Sequence, residues 1–120
     1  MSYEIKQDGK FKYIEVGQGD PLMLLHGLFG ALSNFRDLID HFRQTHKVIV
    51  PILPLLEMDL LHTSVSGLQK FVNRFVEHRN YNDIHLLGNS LGGHVALVHI
   101  LKNPERIKSL ILTGSSGLLP

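Results

Sequence analysis

The sequence predicts a three-layer α/β/α fold with a mostly parallel sheet, and three observations support this fold class. Four segments are continuously apolar, as expected of strands covered on both faces: residues 21–25, 48–53, 84–87 and 110–113. Segments with helical periodicity separate them, so strands and helices alternate along the chain. Parallel strands joined by helical crossovers pack into a sheet with helices on both faces.

A hairpin is predicted to precede these units. Residues 3–6 and 11–16 alternate partly between apolar and polar side chains, and Asp8-Gly9 between them is a hairpin turn signal because both residue types tolerate positive φ. The predicted order is therefore a hairpin followed by β-α-β-α-β-α-β, which assigns residues 1–120 to one core domain.

Three segments have the spacing of helices. In residues 33–44 the apolar side chains from Phe35 to Phe42 share one face. Residues 64–80 form a second amphipathic pattern that Asn80 can terminate. Residues 91–103 are apolar nearly all round, which predicts a largely buried helix ending at Asn103-Pro104.

Composition excludes several kinds of function. Apolar residues make up 43% and charged residues 19%, an ordinary globular balance. The net charge is +1 and the basic residues are scattered, so we expect no nucleic-acid partner. The absence of cysteine excludes disulfides and cysteine-ligated metals. No apolar run could span a bilayer and the first residues do not read as a signal peptide, so we expect a cytoplasmic protein without a membrane partner. The oligomeric state stays open.

The segment Gly88-Asn89-Ser90-Leu91-Gly92 carries the chemistry. It matches G-x-S-x-G, a weak pattern alone, but it follows an apolar strand and opens an apolar helix, as a nucleophile elbow requires. A sharp strand-to-helix turn needs small flanking residues and lifts the serine hydroxyl toward the unpaired N–H groups of the helix. We predict that Ser90 is a nucleophile; the alternative is an ordinary capping serine.

A second signal comes from "LLHGLFG", where His26-Gly27 directly follows the first parallel strand. Ligands of α/β sheets bind at the carboxyl ends of strands, where the strand order reverses. The loop after this strand and the Ser90 turn should both lie there. The backbone N–H groups of Leu28 and Leu91 could then form an oxyanion hole.

The segments "HGLFG", "GNSLGGHVAL" and "NPERIKSLILTGSSG" resemble the serine α/β-hydrolase fold family, in particular its esterase-like members. The resemblance runs from about Tyr3 to the end of the chain. It implies a small-molecule acyl substrate and no cofactor. It also implies a set of site residues: Ser90 as nucleophile, Leu28 and Leu91 as oxyanion donors, and His26, Gly27, Gly88 and Gly92 as supports.

Two departures from the family pattern matter. Many members have DxPGxGxS after the second central strand, whereas this chain has "PILPLLEMDLLHTS". The leucines of this loop could line an acyl pocket or pack under a lid, and both alternatives stay open. The family places its acid and histidine after later strands, but here "GSSGLLP" follows the last strand without a carboxylate. We expect the chain to correspond to the N-terminal half of a hydrolase, truncated after strand six.

No local histidine is an obvious base. We expect His26 to brace the oxyanion loop by hydrogen bonding, since a base must reach the serine hydroxyl and be oriented by a third group. The spacing of the other histidines is not ligand-like, so we predict no metal site.

The complete protein is predicted to cleave carboxylic esters or related acyl bonds through an acyl-serine intermediate. One alternative is a non-catalytic hydrolase-fold protein that binds a small ligand or a partner. A second is a C–C bond hydrolase or acyltransferase of the same fold. Residues 1–120 alone should be weakly active or inactive, because no oriented base is present.

Overall fold

The computed structural model describes residues 3–27, 35–54 and 64–114. Within these residues the chain forms strands and helices in the predicted alternation. The strands are β1 (Lys6–Asp8), β2 (Phe11–Val16), β3 (Pro21–Leu25), β4 (Lys47–Pro51), β5 (Ile84–Asn89) and β6 (Ile107–Thr113). The helices are α1 (Arg36–Phe42), α2 (Val65–Arg79) and α3 (Leu91–Lys102).

The strands form one sheet in the order β1-β2-β4-β3-β5-β6. β1 and β2 are antiparallel, and β2 is antiparallel to β4. The strands β4, β3, β5 and β6 are mutually parallel, which confirms the predicted, mostly parallel sheet. After β3 the chain goes to β4 on one side and then to β5 on the other. The carboxyl ends of β3 and β5 therefore flank the point where the strand order reverses.

Helices cover both faces of the sheet, as the continuously apolar strands require. In β3, Met23 and Leu25 belong to the core cluster that includes side chains of α2 and α3, whereas Leu22 and Leu24 pack with Ile39 of α1. Alternate residues of one strand are thus buried on opposite faces. The predicted three-layer fold class is confirmed.

Several strand boundaries differ from the prediction: β4 ends at Pro51 rather than at residue 53, β5 extends to Asn89 rather than to residue 87, and the largest differences are in β1 and β6. β1 lies at Lys6–Asp8 rather than at residues 3–6, because Asp8 pairs with Phe11 and the turn is formed by Gly9 and Lys10, with Gly9 at φ 62°. β6 begins at Ile107 rather than at residue 110. Its first residues alternate between apolar and polar and are only partly buried, so they lack the continuous apolar signal of the central strands.

The predicted helix ends are confirmed at Asn80 and Asn103, which are the C-terminal cap residues of α2 and α3. The prediction that α3 is largely buried is wrong at its C-terminal end, where Leu101 is 75% exposed. Among the described residues α3 packs against α2 and strands of the sheet, and this packing leaves Leu101 uncovered. No helix in the described ranges has both the length and the apolarity needed to cross a bilayer.

Candidate active site

Ser90 stands alone between β5 and α3, in a backbone conformation that L-residues rarely adopt. Its φ is 57° and its ψ is −123°, outside the left-handed helical region as well as the right-handed one. Such a conformation costs about 1–3 kcal/mol and persists only where the surrounding structure imposes it. Ser90 occupies the N-cap position of α3, but its exposed side chain makes no capping hydrogen bond. The geometry is that of a sharp strand-to-helix turn, not of a capping serine.

Two glycines allow this turn to close. A Cβ added to Gly88 would lie 2.6 Å from the Cα of Gly93. A Cβ added to Gly92 would lie 2.5 Å from the carbonyl carbon of Leu25 and 2.7 Å from the carbonyl oxygen of His26. Backbone atoms cannot swing away as side chains do. Only glycine at both positions lets α3 approach β5 and the end of β3 this closely.

The turn after β3 lies directly against the Ser90 side chain. A Cβ built on Gly27 would lie 3.2 Å from the Cβ of Ser90 and 3.5 Å from its Oγ. The structure therefore brings the His26-Gly27 segment and the Ser90 turn together at the carboxyl end of the sheet. Leu28, the predicted first oxyanion donor, lies outside the described residues.

His26 is buried, and both of its ring nitrogens are engaged by backbone groups. Nε2 accepts the N–H of Leu53 at 3.0 Å, which leaves Nδ1 protonated to donate to the carbonyl oxygen of Gly27 at 2.9 Å. Burial lowers the pKa of His26 below its ordinary value of 6.5, and the bond to Gly27 only partly opposes this. A neutral His26 thus joins the turn after β3 to the residues that follow β4, and neither nitrogen is free to act as a base.

The second predicted oxyanion donor, Leu91, is the first residue of α3. The N–H groups of Gly93 and His94 both donate to the Ser90 carbonyl oxygen, at 3.0 and 3.3 Å. The N–H groups of Leu91 and Gly92 precede them and have no intrahelical acceptor. These two donors and the positive end of the helix dipole are therefore available beside Ser90 to stabilise negative charge.

The sequence did not indicate a contact between the Ser90 turn and the end of β6. The Ser90 N–H donates to the carbonyl oxygen of Thr113 at 3.1 Å, and the Thr113 hydroxyl donates to Oδ1 of Asn89 at 3.0 Å. The partners are more than 20 residues apart along the chain. Only the register of β5 with β6, in which Asn89 pairs with Thr113, could have revealed the contact.

Two other histidines, His85 and His99, have hydrogen-bond partners that belong to the scaffold. His99 is buried on α3, where Nδ1 accepts from the Gln69 amide at 3.0 Å, and its burial lowers its pKa. His85 forms a 2.6 Å hydrogen bond with the Ser109 hydroxyl across β5 and β6. In the described parts of the chain, no three His, Asp or Glu side chains cluster closely enough to hold a metal ion.

The turn, the glycines and the strand-order reversal are features of one fold family, and comparison with known proteins identifies it. The family model for the alpha/beta hydrolase fold matches residues 20–120 of this chain. The chain belongs to this family. Among solved structures, this α/β-hydrolase chain resembles MGS-MChE2, an alpha/beta hydrolase enzyme from the metagenome of sediments of the Mar Chica lagoon, Morocco. The TM-score is 0.89 at 49% identity, over 96% of this chain and 53% of that one.

Curated relatives of this α/β-hydrolase chain include lipases and other hydrolases. Lipase 1 of Psychrobacter immobilis is 29% identical over 97% of this chain and 38% of its own length. The 2-hydroxymuconate semialdehyde hydrolase of Pseudomonas sp. (strain CF600) is 30% identical over 85% of this chain and 38% of its own length. The chain thus spans less than half the length of these relatives.

Proposed function

We propose that this chain carries the nucleophile and the oxyanion hole of a serine hydrolase that cleaves carboxylic esters or related acyl bonds. The observation that carries the proposal is the Ser90 turn: an exposed hydroxyl without a capping role, on a strained backbone, at the start of a helix. A strained residue whose side chain forms no bond within the described residues is an arrangement typical of functional sites.

In the proposed reaction the Ser90 Oγ attacks the carbonyl carbon of the substrate, and a general base takes the hydroxyl proton. The N–H groups of Leu91 and Leu28 stabilise the negative oxygen of the tetrahedral intermediate. The intermediate collapses to an acyl-serine when the protonated base gives its proton to the leaving oxygen, which departs as an alcohol. Water, deprotonated by the same base, then attacks the acyl carbon, and the second intermediate releases the carboxylic acid and returns the proton to Ser90 Oγ.

His26 supports the oxyanion hole in this proposal rather than acting as the base. Its Nδ1–H holds the carbonyl of Gly27, and the peptide group that carries this carbonyl also carries the N–H of Leu28. The bond thus anchors Gly27, the last described residue before the predicted donor, beside the Ser90 side chain. With both His26 nitrogens engaged, we assign the base and its orienting acid to no described residue.

Covalent labelling tests the proposal. A fluorophosphonate probe applied to the full-length protein should modify Ser90, and Ser90→Ala should abolish labelling. Ser109→Ala is the control, because the Ser109 hydroxyl is hydrogen-bonded to His85 and lies within a strand rather than on a sharp turn. Labelling of another serine with Ser90 unmodified, or no labelling of the wild-type protein, would overturn the assignment.

A second candidate comes from the relative named 2-hydroxymuconate semialdehyde hydrolase, which is 30% identical to this chain, compared with 29% for Lipase 1. Hydrolysis of a carbon–carbon bond in such a substrate would use the same nucleophile and oxyanion hole. Turnover of nitrophenyl esters and of 2-hydroxymuconate semialdehyde by the full-length protein separates the two candidates. We expect kcat/KM for a nitrophenyl ester to be the higher of the two, and the reverse order would favour the second candidate.

A further inference from the structure

We infer that Thr113, the last residue of β6, is a positioning residue that fixes the direction of the Ser90 side chain. The inference rests on the proposed role of Ser90 as nucleophile. Thr113 bonds to two consecutive residues of the turn: its carbonyl oxygen accepts the Ser90 N–H at 3.1 Å, and its hydroxyl donates to Asn89 Oδ1 at 3.0 Å. Thr113 thus holds both the residue before the turn and the turn residue itself.

The two sides of Ser90 are held by different elements. Its carbonyl oxygen accepts from Gly93 and His94 in the first turn of α3, which restrains ψ. Its N–H is bound by Thr113, which restrains φ at 57°. Because φ and ψ together set the direction of the Cα–Cβ bond, the position of Oγ depends on both restraints.

The hydroxyl of Thr113 acts on the peptide group between Asn89 and Ser90. When it donates to Asn89 Oδ1, the Asn89 side chain ties the residue before the turn to β6. Without this bond the backbone bond from the Ser90 N–H to the Thr113 carbonyl is the remaining link between Ser90 and the end of β6 among the described residues. The peptide then has more freedom to rotate toward a relaxed, negative φ at Ser90. Such a rotation would move Oγ away from the oxyanion donors. A displacement of about 1 Å in a reacting group can lower the rate roughly 100-fold.

The contact lies where β6 stops. Gly114 follows Thr113 directly with φ 56°, a left-handed conformation that favours glycine, and its Cα carries no side chain toward Asn89. A Cβ there would lie 3.7 Å from Asn89 Oδ1. The end of β6 thus leaves the Thr113 hydroxyl beside Asn89 as the final side-chain contact of the β5–β6 ladder.

If the contact only stabilised the fold, its removal would lower Tm and leave the labelling rate of Ser90 unchanged. Thr113 is exposed and Asn89 is half-buried, so a hydrogen bond between them exchanges readily with water and should contribute little to stability. A second side-chain bond between β5 and β6, the 2.6 Å bond between His85 and Ser109, serves as the comparison for the Thr113–Asn89 bond. It joins the same two strands by a side-chain hydroxyl but lies near their amino ends, away from Ser90.

The experiment measures fluorophosphonate labelling of Ser90, together with kcat and KM for a nitrophenyl ester, in the full-length protein. Thr113→Val keeps the shape and removes the donor. It should lower the labelling rate and kcat about tenfold, leave KM within about twofold, and change Tm by less than about 4 °C. Thr113→Ser should restore the labelling rate to within about twofold of wild type. Ser109→Ala should leave labelling unchanged.

Asn89→Ala removes the acceptor of the same hydrogen bond. The inference can therefore still be tested if Thr113→Val does not fold. If Thr113 acts through Asn89, the double variant should label no more slowly than the slower single variant. A Thr113→Val protein that labels at the wild-type rate would overturn the inference while leaving the proposed function intact. Equal slowing by Thr113→Val and Ser109→Ala would show a general effect of the strand pair instead. A wild-type protein that is not labelled at Ser90 would overturn the proposed function itself, and this inference with it.

Discussion

Asn80, the C-cap of α2, and Ser90, the N-cap of α3, both have a positive φ, 56° and 57° respectively, but their ψ angles differ. Asn80 has ψ 42°, which places it in the left-handed region that asparagine tolerates. Its N–H donates to the Glu77 carbonyl at 3.1 Å, and its side-chain oxygen accepts from Arg106 at 3.2 Å. Asn80 is therefore an unstrained helix stop whose backbone N–H and side-chain oxygen are both bonded within the fold.

Ser90 has ψ −123°, and its hydroxyl makes no hydrogen bond to a described residue. Its backbone is imposed by the glycines beside it and by bonds from α3 and β6. The two turns show that a positive φ by itself says little. A conformation that costs free energy, combined with a side chain that makes no hydrogen bond to a described residue, distinguishes a site for chemistry from a turn of the scaffold.

The largest expected loss of stability follows from adding a side chain at Gly92, where α3 packs closely against the end of β3. Gly92→Ala would place a Cβ 2.5 Å from the carbonyl carbon of Leu25, a backbone atom of a central strand. We expect the free energy of unfolding to fall by about 3 kcal/mol, because α3 must move away from β3, and labelling of Ser90 to be lost. Chemical denaturation measures the first effect.

Gly9→Ala is the control for this variant. Gly9 has φ 62° but no atom within 4 Å of an added Cβ, so only the left-handed backbone opposes the substitution, at about 1–2 kcal/mol. If Gly92→Ala were no more destabilising than Gly9→Ala, close packing would not be what shapes the Ser90 turn.

As the pH falls, the contribution of His26 near Ser90 to the free energy of unfolding should be lost at a higher pH than that of Asp8 near Asn80. Burial lowers the pKa of His26 from 6.5, so the unfolded chain takes up a proton at higher pH than the folded one. The stability contributed by neutral His26 is complete above about pH 6.5 and declines as the pH falls toward the folded pKa, by up to about 1.4 kcal/mol per pH unit. Protonated Nε2 could no longer accept the Leu53 N–H.

Near Asn80, hydrogen bonds from His78 and Arg79 lower the pKa of Asp8 from 3.8, so its contribution is lost only in stronger acid. Denaturation curves between pH 7 and 5 for His26→Gln and Asp8→Asn check this order. The first variant should have a flatter pH dependence than wild type and the second should not. A flatter curve for Asp8→Asn alone would reverse the comparison.

The smallest effect is expected at the unstrained turn. Asn80→Gly replaces one residue that tolerates the left-handed conformation by another. The relief of the small remaining backbone cost is offset by the larger entropy of glycine in the unfolded chain. The variant loses the bond from Arg106 to Asn80, but Arg106 keeps its bond to the Tyr81 carbonyl at 3.0 Å. We expect the free energy of unfolding to change by no more than about 0.5 kcal/mol. A stabilisation above about 1 kcal/mol would mean that Asn80 is strained as well.

Sequence reasoning reached the features that depend on neighbours along the chain. The stop at Asn80, the turn at Ser90 and the glycines around it all follow from local patterns, as do the central strands with their continuous apolar runs. The bond from Leu53 to His26 and the bond from Thr113 to Asn89 join residues 27 and 24 positions apart. They depend on the order and register of the strands, which the pattern of apolar residues does not specify. The early start of β6 was missed because a half-exposed strand has no continuous apolar signal.

The free energy of unfolding of Ser90→Gly tests most directly whether Ser90 is held in a strained turn rather than serving as a helix cap. Relief of the strain at Ser90, reduced by the added entropy of glycine in the unfolded chain, should stabilise the variant by about 0.5–2 kcal/mol relative to wild type. Ser90→Ala, which keeps the Cβ and loses no capping bond, should remain close to wild type. At an ordinary capping serine the glycine variant would instead be a few tenths of a kcal/mol less stable and the alanine variant about 1 kcal/mol less stable. That second pattern would contradict the account.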